Sequence, residues 1–399
     1  MATDNRPICV VLALTATGMA VARDLQPMSW RVLGVDADRS RPGWFSRTIE
    51  RPSGLAALPL GAELLAAVCA LARGPAPVIV MAAADDAVGW CIDHHAELAS
   101  NGVRLAAGYT DQVAAVLLDK SRFGQRCREL NIDVPATMQP ANRNDIESFA
   151  REVGFPLIVK PRAGHLWRQK LRGQKLLTPA TLEQLRRDLD EIIGDPASIV
   201  LQELVAGPES NLFVGAVWAG QDGQVRQVVT ARKVRQFPRN FGSGSLVRTE
   251  ELPQVALMSR QVVEALGYAG VCGTEFKLDL RTNKLRLIEI NARPTLWYDL
   301  CRAAGVHLLR AHACDLAGLP CAPLVGQRQG VVWRYAVRDA IALAQAGIGP
   351  LLRATLREPL ADTDAVFSAR DPLAAVGSLV HTALQAAQHL RRVKPRGAG

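Results

Sequence analysis

Apolar runs and amphipathic segments alternate regularly along the first hundred residues. The run 8–14 predicts a buried strand, 19–25 predicts a helix, and 31–36 predicts a second strand that ends in an acid. The alternation continues through helix 62–72, strand 78–81, helix 84–98 and a short strand at 103–105. Because strand–helix–strand spacing of this kind places successive strands side by side, the pattern predicts a parallel, doubly wound sheet.

A strand pair in the C-terminal third of the chain carries polar groups on one face. Strict alternation over 285–291 places Glu289 and Asn291 together, and the polar turn 281–283 predicts a hairpin that brings Glu275 towards them. Two carboxylates and an amide oxygen repel unless a hard cation lies between them, and Mg2+ prefers oxygen ligands. The alternative is a solvated polar strand face, which would leave Glu289 unpaired inside an otherwise apolar strand.

Lysines mark the ends of elements in the middle of the chain. Asp119 is expected to cap a helix whose first turn holds Lys120. A cation in the first turn opposes the helix dipole, so the position of Lys120 indicates a functional role. The apolar strand 157–160 ends at Lys160, a position suited to anionic oxygens. The basic loop 162–172 predicts a lid over phosphates, with a solvated loop as the alternative. Its basic and aromatic residues are Arg162, His165, Trp167, Arg168, Lys170 and Arg172.

Further polar groups follow buried strands. Strand 199–201 turns polar at Gln202 and Glu203, and strand 225–233 ends at Lys233. The other predicted elements are strand 212–218 and helices 145–153, 179–193, 255–266, 296–304, 306–316, 339–346 and 372–390. Cations therefore recur at strand ends, which is typical of a site for anionic oxygens.

Composition narrows the classes of partner. The 399 residues are 49% hydrophobic and 21% charged, with a net charge of +9, and the length gives room for two or three domains. A basic balance suits nucleotides, nucleic acid or a membrane surface. Aromatic residues make up only 5%, and no apolar run approaches the length of a membrane span, so neither a nucleic acid nor a membrane partner is expected.

The cysteines and the turn after the first strand argue against a disulfide or zinc framework and against a dinucleotide site. The absence of a C-x-x-C pair predicts reduced core thiols in a cytoplasmic protein. The apolar run 8–22 imitates a secretory signal, but a second strand follows at strand–helix–strand spacing. The turn 15–18 has one glycine where a dinucleotide fingerprint has three, so NAD is weakly supported. The eight cysteines are Cys9, Cys69, Cys91, Cys127, Cys272, Cys301, Cys314 and Cys321.

In order, these groups resemble the ATP-grasp superfamily, and within it the carboxylate-amine ligases similar to D-aspartate ligase and the carbamoyl-phosphate-synthase-like proteins. The resemblance covers about 120–319 and ends in the series Glu-Ile-Asn-Ala-Arg at 289–293. It implies a fold of α/β and α+β class. A Rossmann-like parallel-sheet domain at 1–106 would precede a two-lobed ATP-grasp domain at 107–325 and a small C-terminal module at 326–399 with a disordered tail.

The resemblance also implies a role for each matching residue. Mg2+, with Mn2+ as an alternative, would be held by Glu275, Glu289 and Asn291. Lys233 would face the terminal phosphate, and Arg293 and Arg235 would act with it in catalysis. The ATP contacts would be Lys120, Lys160, Gln202, Glu203, Leu204, Glu209 and Lys233.

The reaction implied joins a carboxylate to an amine through an acylphosphate, with release of ADP and phosphate. Arg235, Arg239 and Arg293 favour acid-bearing small molecules, such as amino acids or their derivatives, and a homodimer is left open. Two alternatives remain: ATP-dependent carboxylation of a nitrogen, and an ATP-binding sensor without catalysis.

Overall fold

The computed structural model describes residues 5–161, 176–239, 241–347, 349 and 360–393, with side chains described as far as 382. The predicted lid at 162–172, Asn240 and the tail from 394 lie outside the described residues. By its internal contacts the chain divides into two compact units. The first is Met1–Leu118, Glu209–Glu275 and Glu289–Arg391, and the second is Asp119–Pro208, Phe276–Ile288 and Arg392–Gly399. The division into domains at 1–106, 107–325 and 326–399 stays a prediction.

The predicted strands are present, and the strands at 137–138, 243–249, 332–334 and 363–364 were not predicted. In chain order, the strands are β1 (Ile8–Leu12), β2 (Arg31–Val35), β3 (Val78–Ala82), β4 (Val103–Arg104), β5 (Thr137–Met138), β6 (Leu157–Pro161), β7 (Ile199–Glu203), β8 (Leu212–Ala219), β9 (Val225–Phe237), β10 (Ser243–Thr249), β11 (Gly270–Asp279), β12 (Lys284–Asn291), β13 (Val332–Arg334) and β14 (Thr363–Asp364).

The α-helices lie between and after these strands. They are α1 (Ala16–Leu25), α2 (Ala62–Leu71), α3 (Asp85–Asp93), α4 (His95–Ser100), α5 (Ala114–Leu118), α6 (Lys120–Glu129), α7 (Arg143–Val153), α8 (Leu182–Asp188), α9 (Pro253–Ala265), α10 (Asp299–Ala303), α11 (Leu308–Ala317), α12 (Ala336–Ala346) and α13 (Pro372–Val393). No helix among the described residues is long and apolar enough to cross a membrane.

The N-terminal sheet of the first unit is parallel, with strand order β2-β1-β3-β4. β1 and β3 are buried along their whole length, which explains their continuous apolar sequence. Asp36 follows β2, and its carboxylate accepts the N–H groups of Leu14 and Asp38 at 2.8 and 2.9 Å. The acid therefore orders the turn between the strand ends. The parallel sheet predicted for the first hundred residues is confirmed.

A seven-stranded sheet with order β12-β11-β8-β9-β10-β13-β14 follows in the chain. β8, β9, β10 and β13 pair antiparallel, and a bulge interrupts the pairing of β9 and β10 between Gly244 and Leu246. The unit boundaries fall inside β11 and β12, after Glu275 and before Glu289. The buried side of β12 changes near this boundary: Leu285 and Leu287 are buried before it, and Ile290 after it. The buried residues therefore lie on one face of β12 before the boundary and on the other face after it.

The second unit contains the three-stranded antiparallel sheet β5-β7-β6. Helices α7 and α8 pack on it around a core that includes Ile146, Leu157, Leu185 and Leu201. Asp119 caps α6 by accepting the N–H groups of two following residues, which confirms the predicted cap and places Lys120 at the first helical position.

Several predicted helices differ in extent. The helix predicted over 84–98 is two helices, α3 and α4, because the backbone of His94 leaves helical geometry with φ −111° and ψ 11°. The helix predicted over 179–193 begins later, since Thr181 caps it, and its last turn is π-helical at Leu189–Ile193. The helix predicted over 296–304 is the short α10, and β4 ends one residue early.

Candidate active site

The predicted metal ligands lie at the end of β12 and on β11 beside it. Asn291 Nδ2 donates to Glu289 Oε1 at 3.1 Å, so these two side chains share a face as predicted. Glu275 lies on β11, which neighbours β12 in the sheet. All three residues are half-buried. Their carboxylate and amide oxygens are the donors that Mg2+ takes in proteins, so the residue types fit the ion.

Lys233 is a buried cation of the first unit. Its side chain is only 4% exposed, and Nζ donates to Glu275 Oε1 at 2.7 Å. Gln236 Oε1 lies 3.5 Å from the same nitrogen. A Cβ at Gly244 on the neighbouring strand would lie 2.8 Å from Val247 Cγ2, which is too close, and 3.4 Å from Lys233 Cγ, which is an ordinary contact. Because an unpaired buried ammonium is costly, Glu275 offsets the desolvation of Lys233.

Arg293 follows the predicted metal ligands and is held at three points. Nε donates to Asp85 Oδ1 at 2.7 Å, Nη1 to Pro294 O at 3.2 Å, and Nη2 to Asn291 Oδ1 at 3.3 Å. A guanidinium carries five N–H groups in a rigid plane. These contacts use three of them and fix the plane, which leaves N–H groups on both terminal nitrogens to bind an anion.

Arg235 is tied to the C-terminal part of the first unit. Its Nε and Nη2 donate to the two oxygens of Asp339 at 2.8 and 2.7 Å. Ser245, which lies at the β9–β10 bulge, is buried, and its hydroxyl donates to Asp339 at 3.0 Å. Asp339 is 1% exposed, so the two-pronged bond with Arg235 neutralises a buried carboxylate. This arrangement gives Arg235 a structural role beside the catalytic role that was predicted.

In the second unit, two predicted nucleotide contacts meet where β6 and β7 pair. Lys160 Nζ donates to Gln202 Oε1 at 2.6 Å, and Gln202 Nε2 donates to Thr137 Oγ1 at 3.2 Å. Gln202 is paired with Ile158 across the strands. The amide therefore links the lysine to β5, and the Lys160 ammonium is held at the sheet.

Glu203 is held by two arginines that the sequence did not single out. Arg281 Nη2 donates to Oε1 at 2.8 Å, while Arg286 Nη1 and the N–H of Ala136 donate to Oε2 at 2.8 and 3.1 Å. Burial alone would raise the pKa of Glu203, but the hydrogen bonds from Arg286, Ala136 and Arg281 lower it below its usual value. The carboxylate thus fixes the end of β7, and Leu204 O also accepts from Arg281, at 3.4 Å.

The other two predicted nucleotide contacts lie in different units. Lys120 begins α6 in the second unit and is exposed. Glu209 begins a 3-10 turn, Glu209–Asn211, in the first unit and is half-buried. Their roles towards a nucleotide stay predictions.

Sequence reasoning missed Asp85, Asp339, Arg281 and Arg286 as partners of the predicted residues. Charged residues inside or directly beside strands were the available signal, since Arg286 lies in the middle of β12. Their partners could not be read from local spacing, because 104 residues separate Arg235 from Asp339 and 83 separate Glu203 from Arg286.

Histidine and cysteine do not build a metal centre within the described part of the chain. No group of three His, Cys, Asp or Glu side chains there is placed to hold a metal ion. His312 is buried on α11, and burial lowers its pKa to about 3, so it is a neutral packed residue. The cysteines are free thiols, all buried except Cys321, which is partly exposed, as the sequence predicted for reduced core residues.

Sequence comparison finds distant relatives. No protein-family model matches the chain. It is 23% identical over 250 residues to the carbamoyl phosphate synthase large chain of Neisseria meningitidis, covering 61% of this chain and 22% of that protein. It is 21% identical over 189 residues to D-aspartate ligase of Enterococcus faecium, covering 44% of each. The chain therefore spans about a fifth of the synthase and less than half of the ligase.

Solved structures share the fold over most of the chain. N5-carboxyaminoimidazole synthetase from Staphylococcus aureus aligns with a TM-score of 0.62 and 13% identity, covering 88% of both chains. Biotin carboxylase from Campylobacter jejuni aligns with a TM-score of 0.59 and 13% identity, covering 81% of this chain and 74% of that one. The fold therefore matches that of known ATP-grasp proteins, in agreement with the sequence relatives. The chain thus resembles ATP-grasp proteins in sequence and in fold, at identities of 23% or less.

Proposed function

We propose that the protein is an ATP-dependent ligase that joins a carboxylate to an amine through an acylphosphate and releases ADP and phosphate. The observation that carries this proposal is the end of β12, where Glu289, Asn291 and Arg293 form a connected series of oxygen donors and a fixed guanidinium. Binding of adenine alone would need neither the acids nor the arginine. The relatives named as a ligase and a synthase support the same reaction class.

The nucleotide contacts proposed in the second unit are Lys120, Lys160, Gln202, Glu203 and Leu204. Lys160, held by Gln202, would donate to phosphate oxygens. Because the Glu203 carboxylate already accepts from Arg281, Arg286 and Ala136, we assign the adenine contact mainly to the backbone at 203–204. Glu209 of the first unit would accept from the ribose hydroxyls. A neighbour of the same fold is described as an ADP complex, which supports nucleotide binding by this fold.

Glu275, Glu289 and Asn291 would hold Mg2+, or Mn2+ in its place. The ion, when bound, neutralises charge on the phosphate oxygens. Lys233 would donate to the terminal phosphate, and its bond to Glu275 keeps the ammonium in place. Arg293 would bind the substrate carboxylate with its remaining N–H groups, while Asp85 and Pro294 hold its plane.

The proposed reaction depends on alignment of the substrates with ATP and uses no nucleophile from the protein. A carboxylate oxygen attacks the γ-phosphorus of ATP, the bond to the β–γ bridging oxygen breaks, and ADP leaves. The amine nitrogen then attacks the acyl carbon, phosphate leaves with the transferred oxygen, and the nitrogen loses a proton to form the amide. Lys233, Arg235 and Arg293 would stabilise the negative charge that develops in both steps.

Carboxylation of a nitrogen is the second candidate, with bicarbonate as the acid. It is favoured by the fold neighbours, which include N5-carboxyaminoimidazole synthetase and biotin carboxylase. We place the small-molecule substrates among amino acids or their derivatives, because arginines flank the metal ligands, and the protein in the cytoplasm, because its cysteines are free thiols. A homodimer remains part of this proposal.

A paired-substrate assay tests the proposal. Amino acids, simple carboxylates and bicarbonate are supplied singly and in pairs with MgATP, and ADP is measured together with the mass of the product. A ligase releases ADP with a carboxylate and forms an amide only when an amine is added, whereas ADP release with bicarbonate and a carbamate product identify the carboxylase. Glu289→Ala should abolish ADP release and keep the melting temperature, and the exposed Glu251→Ala serves as the matched control. ADP release by Glu289→Ala at the wild-type rate would overturn the proposed site.

A further inference from the structure

A cation of this chain already occupies an oxygen of one proposed metal ligand. Lys233 lies on β9 and Glu275 on β11, with β8 between these strands in the sheet. The lysine side chain reaches across β8, and its Nζ donates to Glu275 Oε1 at 2.7 Å. A divalent cation at Glu275 would therefore share its carboxylate with an ammonium, and the two positive charges repel each other.

The surroundings of the pair strengthen this repulsion. The side chains of Lys233 and Glu275 are only 4% and 18% exposed, so little water screens their charges. Arg293 adds a further positive charge, since its Nη2 donates to Asn291 Oδ1, another proposed ligand oxygen, at 3.3 Å. Without a nucleotide, cations of the protein thus take up oxygens that a metal ion would need.

Phosphate would change this balance. An ammonium has three N–H groups, of which one bonds to Glu275, while Oε1 of the buried Gln236 lies 3.5 Å from Nζ. The terminal phosphate proposed as a contact of Lys233 offers further oxygens, and these carry negative charge. This charge offsets that of the ammonium, so a nucleotide removes the repulsion that a metal ion meets at Glu275.

We propose that Lys233 is a counter-ion that keeps free divalent cations out of the metal site, so that the site binds its metal only together with a nucleotide. This inference rests on the proposed ligase function and adds a role for Lys233 before ATP binds. Because coupling between two ligands is reciprocal, the nucleotide should raise the affinity for the metal by the same factor as the metal raises the affinity for the nucleotide.

Removing the ammonium should raise the affinity for free metal ions. Lys233→Met removes the charge and keeps an apolar stem, so the proposed ligands should bind Mn2+ alone at least about 10-fold more tightly than in the native chain. General damage to the site would lower this affinity, which is a change of the opposite sign. Arg226→Met is the matched control, since it removes the same charge from an exposed position of β9 and should leave the Mn2+ affinity unchanged.

A Mn2+ titration without nucleotide tests the proposal, with the free ion measured by electron paramagnetic resonance. We expect no saturable binding to the native chain or to Arg226→Met up to about 1 mM Mn2+, and saturable binding to Lys233→Met. Adding Glu289→Ala to Lys233→Met should remove the gained binding, which locates it at the proposed ligands. Equal Mn2+ affinity of the native chain and Lys233→Met would overturn the proposal. Saturable binding by the native chain that Glu289→Ala removes would also overturn it, and this outcome does not depend on the folding of Lys233→Met.

A second measurement separates the counter-ion role from the proposed function. Water proton relaxation detects Mn2+ held in a complex of the native chain with a non-hydrolysable ATP analogue, and Glu289→Ala should abolish this complex. If the complex behaves in this way but Lys233→Met binds Mn2+ alone no more tightly than the native chain, the counter-ion role is wrong and the proposed metal ligands stand. A complex that Glu289→Ala leaves unchanged would overturn the proposed metal ligands and the counter-ion role together.

Discussion

Asp85 Oδ1 lies 2.7 Å from Arg293 Nε, although 208 residues separate them in the chain. Asp85 begins α3 directly after β3 of the parallel sheet, and Arg293 follows the predicted metal ligands at the end of β12. The start of α3 thus supplies a carboxylate that orients the arginine proposed to bind substrate. Within the first unit, the segment that begins α3 and the segment that follows β12 therefore contribute to the same hydrogen-bonded group.

Replacing Asp85 tests this orientation. Asp85→Ala should raise the KM for the carboxylate substrate by about 10-fold and change the KM for ATP little, because the guanidinium loses one of its fixed points. Asp86→Ala, which removes the same charge one residue further on, is the control. The Asp85 effect should vanish in an Arg293→Ala background. Equal losses from Asp85→Ala and Asp86→Ala would argue for a general effect of charge instead.

The pair formed by Lys233 and Glu275 predicts separate effects on stability and on turnover. Glu275→Ala should lower the free energy of unfolding by about 3 kcal/mol, since it leaves a buried ammonium without its partner. The double variant Lys233→Met with Glu275→Gln removes the charges and should recover most of this stability, but no activity. Urea unfolding and ADP release measure the two effects. Recovery of turnover in the double variant would show that neither group serves the reaction.

The hydrogen bonds that Glu203 accepts from Arg281, Arg286 and Ala136 predict that the stability of the second unit falls in acid. The folded-state pKa of Glu203 is lowered, so its bonds contribute stability above its usual pKa of about 4.5, and this contribution is lost as pH falls through the lower folded-state value. Glu203→Gln should therefore be less stable than the native chain at pH 7, by about 2 kcal/mol, and the difference should shrink towards pH 3. Urea unfolding at both pH values checks this. A difference in unfolding free energy that does not change with pH would contradict the stabilising role of these hydrogen bonds.

The lowered pKa of the buried His312 predicts a loss of stability that begins at a higher pH than the loss expected from Glu203. Its folded-state pKa of about 3 lies below the ordinary value of 6.5, so the unfolded chain binds the proton first and stability falls as pH drops from 6.5 towards 3. His312→Leu should reduce the slope of unfolding free energy against pH by at most about 1.4 kcal/mol per unit. The partly exposed His95→Leu is the control. Identical slopes in the native chain and His312→Leu would refute the assignment.

Sequence patterns predicted the elements better than the partners of their side chains. The parallel sheet followed from apolar runs that are buried on both faces, and the Asp119 cap followed from a local residue type. The shared face of Glu289 and Asn291 followed from their spacing on a strand. These features depend on a few neighbouring residues, which is why periodicity and propensity can reveal them.

Partners brought together by the fold could not be predicted in this way. Asp339 on α12 binds Arg235 on β9, 104 residues away, and Arg286 on β12 binds Glu203, 83 residues away. The side of β12 that is buried changes near a unit boundary, which no local alternation records. A single sequence gives residue types and spacing, and these long-range ion pairs depend on how strands are ordered in the sheets.

Oxygen transfer tests the proposed reaction most directly. The carboxylate that supports ADP release is labelled with 18O in its carboxyl group, turnover is run with MgATP and the amine, and the released phosphate is analysed by mass spectrometry. An acylphosphate route predicts one 18O in each phosphate, because the oxygen that attacked ATP leaves with it. Phosphate without the label would contradict the account, since it would come from attack by water or by another acceptor.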